Sequence, residues 1–210
     1  MLLELPEELI IHIISFICDT CSYNNIRIGC ISLYKLLPYP KIFRDGFLYK
    51  SIQFLNNSTD DRKEIIYYLN GIHKKESIYL NNLLSGDIKY WYSDGSLEAL
   101  EKYQLGKLDG IQKRWYKSDS IWCIEEYTNG EKNGTHYYWD QFGRLIQREY
   151  YLNDMQHDIQ YYWHDNGNQD EQLTFINNQL HGLSYKWNYH GQLQYIANYN
   201  YGTLVGKIFV

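Results

Sequence analysis

Proline is scarce in this chain of 210 residues and confined to one end, with only Pro6, Pro38 and Pro40. Proline cannot donate to a sheet ladder and is kept out of central strands, so residues 41–210 are open to an uninterrupted sheet. The four cysteines, Cys18, Cys21, Cys30 and Cys123, form no disulfide framework, and a reduced, cytoplasmic setting is expected. No basic block exists: 20 Lys and Arg face 25 Asp and Glu, a formal net charge of −5. Phosphate affinity rests on Lys and Arg, so no nucleic-acid partner is expected. Residues 86–210 hold 11 basic against 16 acidic residues, which an anionic membrane surface repels. Long apolar runs are missing as well. The best, Leu9 to Cys18, is broken by His12 and Ser15 and falls far short of the ~20 residues of a membrane helix. Glu4, Glu7 and Glu8, with no Lys or Arg among them, do not read as a signal peptide.

Aromatic residues are abundant: 23 Tyr, 6 Trp and 7 Phe, 17% of the chain, which excludes a disordered segment. They are not scattered. Trp91, Trp115, Trp139, Trp163 and Trp187 recur every 24 residues; Trp122 alone stands off this grid. Gly86, Gly110, Gly134, Gly182 and Gly206 keep the same period, with Asp158 replacing one glycine. A third column is Gly95, Asp119, Gly143, Gly167 and Gly191. A fourth is Tyr103, Tyr127, Tyr151, Phe175 and Tyr199, and a fifth Leu97, Ile121, Leu145, Gln169 and Leu193. Five columns in register over five units define an internal repeat.

Each unit parses as strand, tight turn, strand, looser turn, because glycine falls about every ten residues and β-formers fill the gaps. Asp165-Asn166-Gly167 suits a three-residue hairpin loop, a type I turn closed by a glycine with φ > 0. That register sets Trp163 opposite Gln169 and Trp139 opposite Leu145. The second turn, Asn129-Gly130 or Asn177-Asn178, also tolerates φ > 0. The expected fold is therefore mainly β: an elongated antiparallel meander of stacked hairpins, with five full units plus a final strand over 86–210. Weaker copies or a connection occupy 41–85, where Tyr67, Gly71 and Tyr79 take the repeat positions.

The pattern Gly-x4-Trp-x3-Gly-x-Leu-x5-Tyr, carried by Gly134, Trp139, Gly143, Leu145 and Tyr151 and by Gly110, Trp115, Tyr127, Gly130 and Gly134, resembles the MORN-repeat family. It is most similar to the variant found in bacterial antitoxin-like and giant-virus proteins. The resemblance covers about residues 62–210 and implies a β-hairpin platform for interaction or scaffolding. Asp119, Asp158 and Gln169 depart from the pattern.

Residues 1–40 follow another rule. Leu5, Leu9, Ile13 and Ile17 recur at i+4, with Ile10 and Ile14 beside them, an apolar stripe on a helix. Pro6 suits the first helical position and Glu7 and Glu8 the N-terminal dipole end. A second helix is expected from Ile26 to Leu37. Leu5-Pro6-Glu7-Glu8-Leu9, followed by Ile13 and Ile17 and by the apolar stretch around Cys30, resembles the opening of an F-box. That resemblance implies that Leu5, Pro6, Leu9, Ile10, Ile13 and Ile14 dock onto the Skp-type adaptor of a cullin ubiquitin ligase, and that the repeats hold a client protein in the cytoplasm, a host cytoplasm if the source is viral. As an alternative, the same residues would serve only as a cap packed on the first hairpins, the chain then being a structural, scaffolding or inhibitory repeat protein.

Sharper chemistry finds little in the pattern. Cys18-x2-Cys21 with Cys30 and His12 lacks a second ligand pair at zinc spacing, so no metal or cofactor is expected. No nucleophile elbow, phosphate loop or metalloprotease helix motif occurs, and no catalytic residue is assigned. Glu125-Glu126 and Asp170-Glu171 read as surface charge, and Lys113-Arg114-Lys117 as a solvated strand face.

Overall fold

The computed structural model of the chain describes residues 41–45, 48–55, 59–68 and 70–210. The F-box-like segment, with Leu5, Pro6, Leu9, Ile10, Ile13 and Ile14, and the Cys18, Cys21 and Cys30 group lie outside the described residues. Among the described residues there is no helix, and so none long and apolar enough to cross a membrane.

One antiparallel sheet holds every strand among the described residues. It opens with β1 (Lys41–Asp45), β2 (Leu48–Phe54) and β3 (Arg62–Tyr67), then β4 (His73–Leu80) and the two-residue β5 (Leu83–Leu84). From there three strands repeat: outgoing, returning and short. They are β6 (Gly86–Trp91), β7 (Leu97–Gln104) and β8 (Lys107–Leu108), then β9 (Gly110–Trp115), β10 (Ile121–Thr128) and β11 (Glu131–Lys132). The pattern continues with β12 (Gly134–Trp139), β13 (Leu145–Leu152) and β14 (Met155–Gln156), then β15 (Asp158–Trp163), β16 (Gln169–Ile176) and β17 (Gln179–Leu180). It closes with β18 (Gly182–Trp187), β19 (Leu193–Asn200) and β20 (Thr203–Phe209). Each outgoing strand pairs with the returning strands on both sides, as β9 does with β7 and β10. The expected meander is present, and β1 and β2 extend it upstream.

Two rows of turns set the register. In the first, Gly95, Gly143, Gly167 and Gly191 have φ of 94°, 79°, 88° and 78°. The amide of Gly167 donates to the carbonyl of His164, closing a type I turn. Trp163 pairs with Gln169 and Trp139 with Leu145, as the loop length requires. Asp119 holds φ 64° in the same place, so its departure from glycine leaves the turn geometry intact. In the second row both loop residues have φ > 0, as in Asn129 and Gly130 (52° and 91°) and in Asn177 and Asn178 (50° and 65°). These are type I′ turns, whose twist matches that of the strands they join. They also stack: the amide of Gly130 donates to Leu108 O, Asp154 to Lys132 O and Asn178 to Gln156 O.

Leu105 occupies the first position of this turn with φ 49°, is 72% exposed, and stands where other units carry Asn81, Asn129, Asn153 and Asn177. A branched side chain is strained in this conformation and asparagine much less so. Leu105→Asn is therefore expected to raise the stability of the chain by about 0.5–1 kcal/mol. A urea midpoint unchanged or lower than that of the parent protein would contradict this.

Candidate functional site

The sheet is one layer, and its faces are chemically different. Partners in an antiparallel ladder share a face, so the pairings sort every residue. All the fully buried residues fall on one face. Its centre is a spine of cross-strand pairs, one per hairpin: Glu64 with Ser77, Ile88 with Glu101, Gln112 with Glu125, His136 with Glu149, Gln160 with Leu173 and Ser184 with Ala197. Ile88, His136 and Gln160 are 0% exposed. Beyond Ile88, Ala99, Cys123 and Ala197, the buried positions are polar.

The backbone explains this polarity. Each outgoing strand begins at a residue with positive φ, such as Gly110 (94°) or Asp158 (60°). There β7 pairs Tyr103 with Leu108 and then Leu100 with Lys113, so Glu101 and Lys102 face the longer stretch Asp109–Gln112 and regular rungs are lost. The side chain of Gln112 fills the gap. Its Oε1 accepts from the amide of Lys102 at 2.6 Å, and its Nε2 donates to Lys102 O at 3.2 Å and Gly110 O at 3.1 Å. Gln160 does the same two units later, accepting from Tyr150 N at 2.6 Å and donating to Tyr150 O and His157 O. Between them His136 Nε2 meets Glu126 O at 3.0 Å. Buried backbone groups must be paired, and here side chains pair them.

The glutamate column beside the spine is tied to the following hairpin. Glu101 accepts from Arg114 at 3.0 Å, Glu125 from the Tyr138 hydroxyl at 2.8 Å, and Glu149 from the Tyr162 hydroxyl at 2.8 Å. Lys132 Nζ (3.6 Å) and Arg114 Nη1 (4.0 Å) also approach Glu125. His136, then Tyr138, Lys132 and Arg114, hold the Glu125 carboxyl down at about 2 against the opposing effect of burial. His136 Nδ1 is 3.9 Å from Oε1 and makes no hydrogen bond, so the 2.8 Å bond from the Tyr138 hydroxyl is the stronger of the two. The reading of Glu125 as surface charge is corrected: it is 7% exposed. Asp170 and Glu171 are likewise half-buried and both hold Lys186, at 2.7 and 3.0 Å. Nor is Lys113-Arg114-Lys117 one patch, since Arg114 points into the glutamate column and Lys113 to the other face.

Tyr103, Tyr127, Tyr151, Phe175 and Tyr199 share the spine face and are half-buried. The His136 ring sits 5.8 Å from that of Tyr127 and 4.9 Å from that of Tyr151. The tryptophan column, Trp91, Trp115, Trp139, Trp163 and Trp187, ends the outgoing strands and is also half-buried. Strand alternation turns it to the opposite face. Trp139, Trp163 and Trp187 stack on Tyr137, Tyr161 and Tyr185, with centroids 5.8, 6.0 and 5.7 Å apart. Tyr68, Tyr92 and Tyr116 each donate a hydroxyl at 2.8 Å to the carbonyl of the tryptophan one unit on, Trp91, Trp115 and Trp139. Sequence reasoning missed both this column and Glu101, Glu125 and Glu149. Each keeps the 24-residue period, but a glutamate is ordinarily assigned to solvent. Among the described residues no group of three or more His, Cys, Asp or Glu is placed to hold a metal ion. No protein-family model matches the chain, and no curated protein matches it.

Two consequences can be measured. Gln160→Leu strands a buried amide and is expected to cost about 1–3 kcal/mol, whereas Ser184→Ala, whose hydroxyl has no partner, should be close to neutral in the same urea titration. Glu125 is depressed below its ordinary value of 4.5, so its stabilisation is complete above that pH and is lost as pH falls toward 2, on the order of 2 kcal/mol. Unfolding midpoints from pH 6 to pH 2 should fall less steeply for Glu125→Gln than for the parent chain; parallel curves would remove Glu125 from this role.

Proposed function

We propose that the chain is a non-enzymatic protein-interaction protein, an F-box substrate receptor. In this reading its repeat sheet holds a client protein and Leu5, Pro6, Leu9, Ile10, Ile13 and Ile14 recruit the Skp-type adaptor of a cullin ubiquitin ligase. The observation that carries the platform half is the tryptophan row: large aromatic rings, half-exposed, three of the five stacked on tyrosines, and repeated along one face. Such rings supply rigid contact area at little entropic cost. The spine beneath them fixes the backbone, so the row is presented ready-made. The adaptor half rests on the Leu5-Pro6-Glu7-Glu8-Leu9 resemblance, and the cytoplasmic placement follows from where such ligases work. Ligation itself would belong to the recruited core.

One observation favours a second reading, in which the N-terminal helices only cap the sheet. β1 pairs with β2 alone among the described strands, which leaves an edge beside residue 40, and exposed edges invite covering. The readings separate experimentally. Full-length protein should retain purified adaptor in a pull-down and Leu9→Asp should lose at least tenfold of it. Equal recovery by both, or none by either, would overturn the receptor reading. A chain beginning at residue 38 that aggregates and loses its near-UV circular dichroism would favour the cap.

A further inference from the structure

Trp122 has no place in the repeat. The equivalent positions are Lys74, Glu98, Ile146, Asp170 and Gln194, so no hairpin requires an aromatic ring there. It is nevertheless 41% exposed, and it stands beside a surface recess of about 370 Å³ between two successive units. Tyr90, Tyr92 and Trp122 give that recess three aromatic walls, and Trp115, whose ring turns to the other face, also borders it. Ala99 also lines it; the same column carries Cys123, Gln147, Glu171 and Tyr195 further on, and the smallest of these side chains leaves the space open. The Tyr92 hydroxyl is bonded to Trp115 O at 2.8 Å, which ties this wall to the next unit.

The charges in the recess decide what suits it. Arg114 is already met by Glu101 at 3.0 Å and Glu125 at 4.0 Å. Glu98 also lines the recess, yet no cation stands within 4.0 Å of its carboxylate among the described residues. Its charge reaches the hydroxyls of Tyr68 and Tyr92, whose pKa values are raised, first by burial and then by Glu98. The uncompensated charge is thus negative and lies among aromatic rings. Aromatic faces attract cations through their quadrupole, and apolar walls suit an alkyl stem that carries its charge at the tip.

We propose that this recess is a binding site for a lysine side chain of a client protein, with the methylene stem among Tyr90, Tyr92 and Trp122 and the ammonium beside Glu98. The site rests on the reading of the sheet as a client-binding platform and gives that platform one specificity-determining position. An acidic side chain directed at Arg114 would have to displace Glu101.

The test uses the full chain and three small probes: N-acetyl-lysine methylamide, its norleucine counterpart and its glutamate counterpart. Each is titrated while the indole N–H resonance of Trp122 is followed by NMR, with Trp122→Phe supplying the assignment. The lysine probe should shift that resonance saturably. Norleucine should bind at least fivefold more weakly, and glutamate more weakly still. Glu98→Gln, folded by near-UV circular dichroism, should weaken the lysine probe at least threefold and leave norleucine unchanged. Equal binding of lysine and norleucine, preference for glutamate, no response to any probe, or indifference to Glu98→Gln would each overturn the site. The outcome is independent of adaptor recruitment. A chain that retains adaptor but ignores the lysine probe loses this site alone, and one that binds the probe but retains no adaptor loses the receptor reading alone.

Discussion

A left-handed residue at the start of each outgoing strand is the constraint from which the rest of the sheet follows. At Gly86, Gly110, Gly134, Asp158 and Gly182 the backbone takes φ between 60° and 107°. The bend throws extra residues out of the ladder and removes regular rungs from the neighbouring returning strand. Those backbone groups are buried, and leaving one unsatisfied costs about 1–3 kcal/mol. In three of the five units a side chain reaches across, whereas Ile88 in the first offers no polar atom. Glutamine reaches fully at 112 and 160, and histidine partly at 136. At 184 serine is too short to bond the strand, and its hydroxyl goes unpaired.

A single-layer sheet built this way has a polar interior, which affects its specificity. A one-residue slip would exchange the two faces, exposing the spine amides and burying lysines such as Lys113. The glutamate column adds a second restraint, because each carboxylate binds a donor on the next hairpin. Neighbouring units are coupled by these bonds, by the stacked type I′ turns, and by the tyrosine hydroxyls that reach the next tryptophan carbonyl. Among the described residues stability then accumulates between nearest neighbours, without a central apolar core.

A regular scaffold also frees individual positions for other work. Where each unit must supply the same turn and spine, departures from the pattern carry information. Asp119 and Asp158 preserve the backbone conformation that glycine has elsewhere, so they are departures in name only. Ala99, Glu98 and Trp122 are departures of another kind. They lie close together, open a recess, and give two of the units a local chemistry that the others lack.

Much of the fold was legible because turns are local. The 24-residue period, the three-residue loop and the pairing of Trp139 with Leu145 and of Trp163 with Gln169 all follow from residue type within one unit. The candidate site was only half legible. The tryptophan and tyrosine columns could be named from spacing, but periodicity alone did not place them on opposite faces. Glu125 looked like solvated charge because an acidic pair within one strand carries no sign of what crosses it. Its partners Tyr138, Lys132, Arg114 and His136 come from three other strands. By itself the sequence determined the period, the turn conformations and the mainly β architecture, since these depend on φ preferences and short-range alternation. Only the tertiary structure decided which columns are buried and that the interior is polar. Those properties arise from the ladder rungs lost between hairpins, an interaction at a distance that no single unit encodes.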